Sequence, residues 1–529
     1  MNTAGAASHH QNPPGGARPT LGREYTLVLA AALVFYVICA APGVLWQDSG
    51  LAQVRVLEHD LIGTLGLALS HALYYLLAIA FQSLPLSESA FKTNLVSAVF
   101  GAVTVANIYL FLRLVTGRRR GAVVGMLSLA VAHTFWQHCA LAEVYTVTTA
   151  LLGAELLCLY QYHATRRPRW IVLLMLANGL GISNHMIASL SLACYGIWLL
   201  ALLARRKVRL PVAAAAAGAW VAGAALYLGL IAWRIHAGAG VGPTIHSALF
   251  GTGFAHNVLN VVPGPRQLLN SILYLGLSFP TPAALLALPG LAALWRTRYP
   301  TLRNVLLGLL AIHLLWAIRY DVPDQYTFFI PALVLIAVLI GLGADRFLAS
   351  RASRWLAVVV VAAILPAGVY AVLPGLARRA GLRLGVTRAV PYRDAYTYFL
   401  RPWKTGYHGA DRFACEAAKL LTPGTVLVAD GTTVRPIHYY RITRGWFDGV
   451  RIYPPIRKPG QPKVHPTPAA LADALARRAV FVVTPQRGYC PQWLLDGYRF
   501  ERVGVLYRVV GPREHRTHAP AGDGGGKRR

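Results

Sequence analysis

Eleven apolar runs separated by arginine clusters constrain this chain more than any other feature. A bilayer-spanning helix needs about 20 mostly apolar residues. Candidates lie at 24–42, 94–115, 121–137, 140–161, 170–183, 186–204, 211–233, 269–294, 304–319, 326–345 and 355–374. Only 13% of the 529 residues are charged, against roughly 25% in soluble domains, so a wholly soluble fold is excluded. A net charge of +31 suits either a nucleic acid or a membrane. The arginines flank apolar runs and form no single patch, so membrane lipids are the expected surroundings and nucleic acid is not an expected partner. The first run, from about Tyr25 to Ala41, is too long for a signal-peptide core and lacks a small-x-small cleavage site. It reads as an uncleaved first span.

The stretch 61–84 is also apolar, and charge decides how to read it. Basic clusters sit at Arg18/Arg23, Arg118–Arg120, Arg166/Arg167/Arg169, Arg205–Lys207, Arg296/Arg298/Arg303 and Arg346/Arg351/Arg354. Arginine marks the inner side of a membrane. If 61–84 crossed fully, Arg118–Arg120 and the later clusters would face outward. A re-entrant or interfacial 61–84 keeps them all inside. The expectation is about eleven spans with a re-entrant first outer loop, the N-terminus inside and the C-terminal part outside. Arginine far outnumbers lysine and alanine is abundant, which reads as a GC-rich bacterial gene and hence a multi-pass protein of the bacterial cytoplasmic membrane.

Four parts follow. Residues 1–20 read as a disordered tail, 21–376 as the transmembrane domain, 380–515 as a small α/β domain on the outer face, and 516–529 as a second disordered tail. Short buried strands are expected at Thr425–Asp430, Val480–Thr484 and Val503–Val510, with helices at 410–421 and 468–478. Cys415 and Cys490 both fall in this domain, where an oxidising compartment permits a disulfide. Its arginines (Arg435, Arg441, Arg444, Arg451, Arg457) read as a solvated basic surface or as a site for anionic glycan or lipid headgroups.

Carboxylates are scarce in 1–373, with only ten present. The topology puts Asp48, Glu58, Asp60, Glu88, Glu143, Asp321 and Asp324 at the outer face, Glu24 and Asp345 inside, and Glu155 within a span. Acids near a bilayer are costly and mark functional sites, although loops are polar in any case. Other polar side chains crowd the same face: His71, the His133-to-Tyr145 segment, Ser183-Asn-His185, and the 319–326 junction Arg-Tyr-Asp-Val-Pro-Asp-Gln-Tyr. His133 and His138 are five apart, a poor spacing for one helix face, so with His185 they make no expected metal site.

These segments resemble the protein O-mannosyltransferase-like family of polytopic membrane proteins, in the GT-C glycosyltransferase superfamily. Trp46-Gln-Asp48-Ser-Gly50 is similar to the family's Asp-Ser-Gly-Glu after the first span, and Gly66 to Tyr75, with His71, to its His-Pro-Pro segment. His133-Thr-Phe-Trp136, Glu143-Val-Tyr145, Asn184-His185 and Tyr320 to Pro331 match well. Pro391 to Lys404 resembles the start of its extramembrane part. Two departures stand out: Leu51 replaces the family's Glu, and Ala72-Leu73 replaces its proline pair.

The resemblance implies an inverting transferase that moves a sugar, mannose-like, from a polyprenyl-phosphate donor to a hydroxyl acceptor on protein, lipid or glycan. It needs no nucleotide, and no cofactor or metal is expected. One carboxylate takes the acceptor proton, and polar or cationic groups hold the departing phosphate. Asp48, fixed at a helix end after the first span, is the expected base. Glu143 and Tyr145 either orient hydroxyls or merely begin a span. His71, His133, Asn184 and His185 read as donors to phosphate or sugar, or as ordinary loop polar groups. Arg319 with Tyr320 reads as a phosphate clamp or as a salt-bridge partner of Asp321 or Asp324. His246 and His256, in the loop 236–268, read as part of a lid. Two other readings stay open, a transporter or lipid flippase and a catalytically inactive GT-C scaffold.

Overall fold

A computed structural model describes residues 17–352, 354–384, 390–454 and 467–512. Residues 1–16 of the expected first tail, the whole of the second, and Arg457 lie outside the described residues. The chain divides into two compact units, Met1–Arg388 with Asp394–His408, and Ala389–Arg393 with Gly409–Arg529.

The first unit is helical. Helix α1 (Ala17–Cys39) is followed by two short helices, α2 (Gln47–Leu57) and α3 (Ala72–Phe81), then α4 (Ser89–Thr116), α5 (Arg119–Ala130), α6 (His133–Ala140), α7 (Tyr145–Thr165) and α8 (Arg169–Asn184). Next come α9 (Ala188–Ala204), α10 (Leu210–Arg234), α11 (Val241–Phe250), α12 (Ala255–Leu259), α13 (Pro265–Ser278) and α14 (Ala287–Leu294). The unit closes with α15 (Pro300–Arg319), α16 (Ile330–Leu348), α17 (Arg354–Arg379) and α18 (Ala395–Leu400). Six described helices are long and apolar enough to cross a membrane, or seven if α13 and the segment Pro282–Leu294, bent by 104°, count as one.

Each apolar run of the sequence is helical, but two of the expected spans are broken. The run 121–137 divides at Val131–Ala132 between α5 and α6, where the backbone N–H of His133 donates to the Tyr370 hydroxyl at 3.1 Å. The run 269–294 bends after Ser278. Stretch 61–84 forms no long helix: α3 has ten residues, about 15 Å at 1.5 Å per residue, half of the ~30 Å hydrocarbon core.

Arginines and their acids gather at one end of this unit. Glu24 pairs with Arg113 at 2.8 Å and Arg119 at 2.7 Å, and Asp345 with Arg120 at 3.3 Å and Arg118 at 3.7 Å. In the interior, α8 lies directly along α10. A Cβ at Gly179 would strike the Trp220 carbonyl, and one at Gly223 the Leu176 carbonyl, so only glycine permits this approach. Beside that seam the buried Glu155 carboxyl accepts from Asn178 Nδ2 at 3.1 Å and the Tyr195 hydroxyl at 3.0 Å. Trp220 Nε1 in turn donates to Asn178 Oδ1 at 3.2 Å.

The boundary after the last long helix differs from the sequence expectation. Residues 394–408 pack on the first unit: the Lys404 N–H donates to the Cys39 carbonyl at 2.8 Å, and Trp46 Nε1 donates to the Tyr407 hydroxyl.

The second unit holds α19 (Gly409–Leu420), β1 (Val426–Val428), α20 (Val434–Arg444), β2 (Arg451–Tyr453), α21 (Pro468–Arg477), β3 (Val480–Val482), α22 (Gln492–Gly497), β4 (Tyr498–Val503) and β5 (Leu506–Pro512). The sheet order is β2-β1-β3-β5-β4, with β1 parallel to β2 and β3, and β5 antiparallel to its neighbours. The run 503–510 is not one strand, because it spans the β4–β5 hairpin, whose Gly504 takes a positive φ of 60°. Cys415 is exposed and Cys490 buried, and both are free thiols, so the permitted disulfide is not formed.

Candidate functional site

The site is built at the end of the helical unit opposite the arginine pairs, from three connections far apart in sequence. The first follows α1. Asp48 stands in the first turn of α2 and is exposed. A carboxylate suits the positive end of a helix. Its neighbour Ser49 is buried and donates to Glu143 Oε1 at 2.9 Å.

Glu143 lies in the four-residue link between α6 and α7. Ser97 of α4 fixes this backbone, since its hydroxyl donates to the Glu143 carbonyl and accepts from the Glu143 N–H, both at 2.9 Å. The third connection joins α15 to α16 and carries Asp324, whose carbonyl accepts from the Thr327 N–H and hydroxyl. Thr327 Oγ1 in turn accepts from the Tyr145 hydroxyl at 3.1 Å, which ties this turn to the start of α7.

Asp48, Glu143 and Asp324 sense one another. Burial, then the nearby charge of Asp48 and more weakly Asp324, pushes the Glu143 carboxyl up to about 8. Burial and the Asp48 charge push Asp324 up to about 6. At neutral pH Glu143 therefore holds a proton while Asp324 is mostly ionised. A carboxyl whose pKa rises on folding stabilises the fold fully below its ordinary value of 4.5, and that contribution is lost as pH rises through about 8. The apparent unfolding midpoint in detergent is expected to fall between about pH 5 and about pH 8.5, and to fall less in Glu143→Gln. Equal loss in both proteins would mean that Glu143 does not carry the raised pKa.

Rings gather beside these acids, Tyr145 nearest to Asp324 and Glu143. Tyr145 packs against His138 at 5.4 Å and His185 at 5.2 Å between ring centroids. His185 stacks on His71 at 4.8 Å and 28°. His71 takes a positive φ of 51° at the head of α3, and its Nδ1 bonds the Asn184 carbonyl at 2.9 Å. Burial lowers the His71 pKa to about 4, so it is neutral at pH 7. Asn184 Nδ2 donates to the Val144 carbonyl at 2.9 Å and to Thr148 Oγ1 at 2.8 Å, holding the end of α8 to the start of α7.

Of the sequence candidates, the structure brings together Asp48, Glu143, Asp324, Tyr145, His71, His185 and Asn184. Four are differently engaged. His133 is fully buried, and its Nε2 bonds the Phe399 carbonyl at 2.8 Å, so it anchors α18. Arg319 directs Nη1 to the carbonyls of Val258 and Asn260 and lies 4.2 Å from the Trp316 ring centroid. Its guanidinium staples a loop, and no ion pair to Asp321 or Asp324 occurs among the described residues. Asp321 is exposed and offers its carbonyl to Asn257. Tyr320 is buried between Trp316, at 5.4 Å, and Phe328, at 4.5 Å. Among the described residues no group of three His, Cys, Asp or Glu side chains is arranged to hold a metal.

Sequence reading missed Arg55. It is only 5% exposed. Its Nε meets Asp60 Oδ2 at 3.3 Å and the Asp60 carbonyl at 3.2 Å, and Nη2 donates to the Ser70 carbonyl at 3.0 Å. The guanidinium covers the Tyr75 ring at 3.6 Å. One side chain thus closes the loop between α2, which carries Asp48, and α3, which His71 heads. The only signal was an arginine on the expected outer side, where arginines are rare.

Residues 68–209 match the family model described as the protein O-mannosyl-transferase TMEM260 N-terminal domain. That stretch contains His71, Glu143, Tyr145, Asn184 and His185, but neither Asp48 nor Asp324. Among solved structures the chain is similar to ArnT from Cupriavidus metallidurans bound to undecaprenyl phosphate, at 14% identity and a TM-score of 0.55, covering 92% of this chain and 97% of that one. It is also similar to the arabinofuranosyltransferase AftD from Mycobacteria, at 14% identity and a TM-score of 0.48, covering 93% of this chain and 40% of that one. No curated protein matches by sequence.

Proposed function

Starting from an O-mannosyltransferase-like stretch in a GT-C-type membrane fold, we propose that this protein is an inverting membrane glycosyltransferase with a polyprenyl-phosphate sugar donor. The observation that carries this reading is the convergence of Asp48, Glu143 and Asp324, from three distant connections, at one end of the helical unit. ArnT, whose fold this chain shares, was solved with undecaprenyl phosphate, which supports a lipid-phosphate carrier here. Mannose is the sugar to test first, given the family of the matched stretch.

Asp48 is the expected base. Its carboxylate takes the proton of an acceptor hydroxyl as that oxygen attacks the anomeric carbon. The bond from that carbon to the phosphate oxygen breaks, the polyprenyl phosphate leaves with the electron pair, and the configuration inverts. Glu143, protonated and held by Ser49, offers a hydrogen bond to a sugar or acceptor hydroxyl without adding negative charge beside the phosphate. Tyr145, His71 and His185 supply flat faces and polar edges for the sugar. The acceptor is a hydroxyl on protein, such as Ser or Thr, or on lipid or glycan. The membrane is the bacterial cytoplasmic membrane, with the Asp48 end outside. A transport reading finds no support at Glu155, whose carboxyl is fully hydrogen-bonded between helices.

The test is to feed membranes containing the protein with radiolabelled polyprenyl-phosphate sugars, mannose first, and follow label into protein, lipid and glycan fractions. Transfer above that of membranes lacking the protein is expected, and the labelled fraction names the acceptor. No transfer from any carrier would leave the inactive scaffold as the better reading, in line with Leu51 and Ala72-Leu73.

A further inference from the structure

Residues 235–264 join α10 to α13 and carry α11 and α12. The inner face of α11 is small and polar, since its buried residues are Thr244, Ser247 and Ala248. Three of its large apolar residues point outward: Val241 is 61% exposed, Ile245 42% and Leu249 50%. Positions i, i+4 and i+8 make one stripe along a helix. In water this arrangement is inverted, because the stripe that would normally seek a core faces away from it. Leu259 at the end of α12, and Val261 and Val262 beyond it, are exposed as well, each by more than three-fifths.

The polar ties of this segment run the other way. Ser247 Oγ accepts from the Leu67 N–H at 3.0 Å, and the Thr252 N–H donates to the Leu65 carbonyl at 2.7 Å. The Tyr227 hydroxyl donates to the Ala248 carbonyl at 2.7 Å, and Arg319 holds Val258 and Asn260. The inner face is therefore pinned to the first loop and to the 319–321 junction, next to the candidate site.

We propose that 241–262 is a strap seated in the membrane interface, with the α11 stripe and the Leu259–Val262 edge among phospholipid acyl chains. Three observations select lipid as the occupant. The strap leaves directly from α10, an apolar helix with its own outward residues, and continues that lipid-facing surface. Trp233, 55% exposed in the last turn of α10, is the residue type that marks a membrane–water boundary. No Asp or Glu occurs anywhere between Glu155 and Asp321, so insertion of the strap desolvates no carboxylate. An amphipathic helix of this kind lies in the plane of the interface.

The test uses the full chain in phosphatidylcholine nanodiscs. A nitroxide is placed at Ile245→Cys or Leu249→Cys in a Cys415→Ser background, with the unsubstituted background as blank. The exposed Cys415 of the parent serves as the aqueous reference. Collisions with oxygen are expected to exceed those with a water-soluble nickel chelate several-fold at both strap positions, with the reverse at Cys415. Nickel accessibility at both strap positions equal to that at Cys415 would place the strap in water and overturn the proposal. Low accessibility to both reagents would mean that a protein surface covers the stripe, and would overturn it equally. The readout is membrane contact alone, so it stands or falls separately from sugar transfer.

Discussion

Asp48→Asn is expected to lower sugar transfer by about 10²–10⁴-fold, the range for a lost general base, at unchanged membrane content. The substitution keeps the shape and removes only the charge and the proton-accepting capacity. Asp48 is exposed in the first turn of α2, where a lost helix-end charge costs about 0.3–1 kcal/mol. That is too little to unfold the unit, so a rate loss of this size reports chemistry. The check is initial transfer rate per mole of protein, with thermal midpoint measured alongside. Transfer within a factor of a few of the parent would move the base elsewhere, with Glu143 the next candidate. In the parent, transfer is also expected to decline above about pH 8, where Glu143 ionises and adds negative charge beside the phosphate.

Arg55→Ala carries the largest expected effect on structure. Removing one member of a buried ion pair costs about 3–5 kcal/mol. Here the loss takes the arginine partner from Asp60 Oδ2 and the Ser70 carbonyl and uncovers the Tyr75 ring, while Asp60 Oδ1 keeps the Ile62 and Gly63 N–H groups. The penalty falls on the loop between α2 and α3, so amide exchange across 58–71 is expected to speed up by roughly 10²-fold to 5 × 10³-fold, the corresponding change in a local opening equilibrium. Arg55→Lys is expected to recover little of it, because an ammonium does not reproduce the guanidinium fork or its stacking. Unchanged exchange in the alanine variant would show that the loop is held by other contacts. Transfer should fall with loop order, since this loop connects the elements of Asp48 and His71.

What the sequence disclosed depended on rarity. In an apolar chain each carboxylate is conspicuous, and three of those assigned to one expected face, Asp48, Glu143 and Asp324, lie near one another in the structure. Charge bookkeeping likewise read 61–84 as something short of a crossing, where hydropathy alone favoured a span. Contacts that depend on tertiary placement were not legible. Arg319 has two aspartates within five residues, yet its guanidinium serves carbonyls about sixty positions away. His133 looked like a site histidine, and its partner is the Phe399 carbonyl, 266 residues on. The break at Val131–Ala132 carries no proline or glycine, so no local rule announces it. Arg55 beside acidic loop residues is indistinguishable in sequence from a solvated surface pair.

The hydrogen-bonded carboxyl of Glu155 bears on how the chain is made. Its partners come from later helices: Asn178 from α8 and Tyr195 from α9, 40 residues downstream. Trp220, which braces Asn178, comes later still from α10. At about 5–20 residues per second, Glu155 is synthesised roughly 2–8 s before Tyr195. Released singly into lipid, α7 would carry a solitary acid with nothing to accept from, and the glycine seam between α8 and α10 could not close until α10 arrived. Completion of this part of the protein therefore waits on four helices, α7 to α10, meeting in the bilayer.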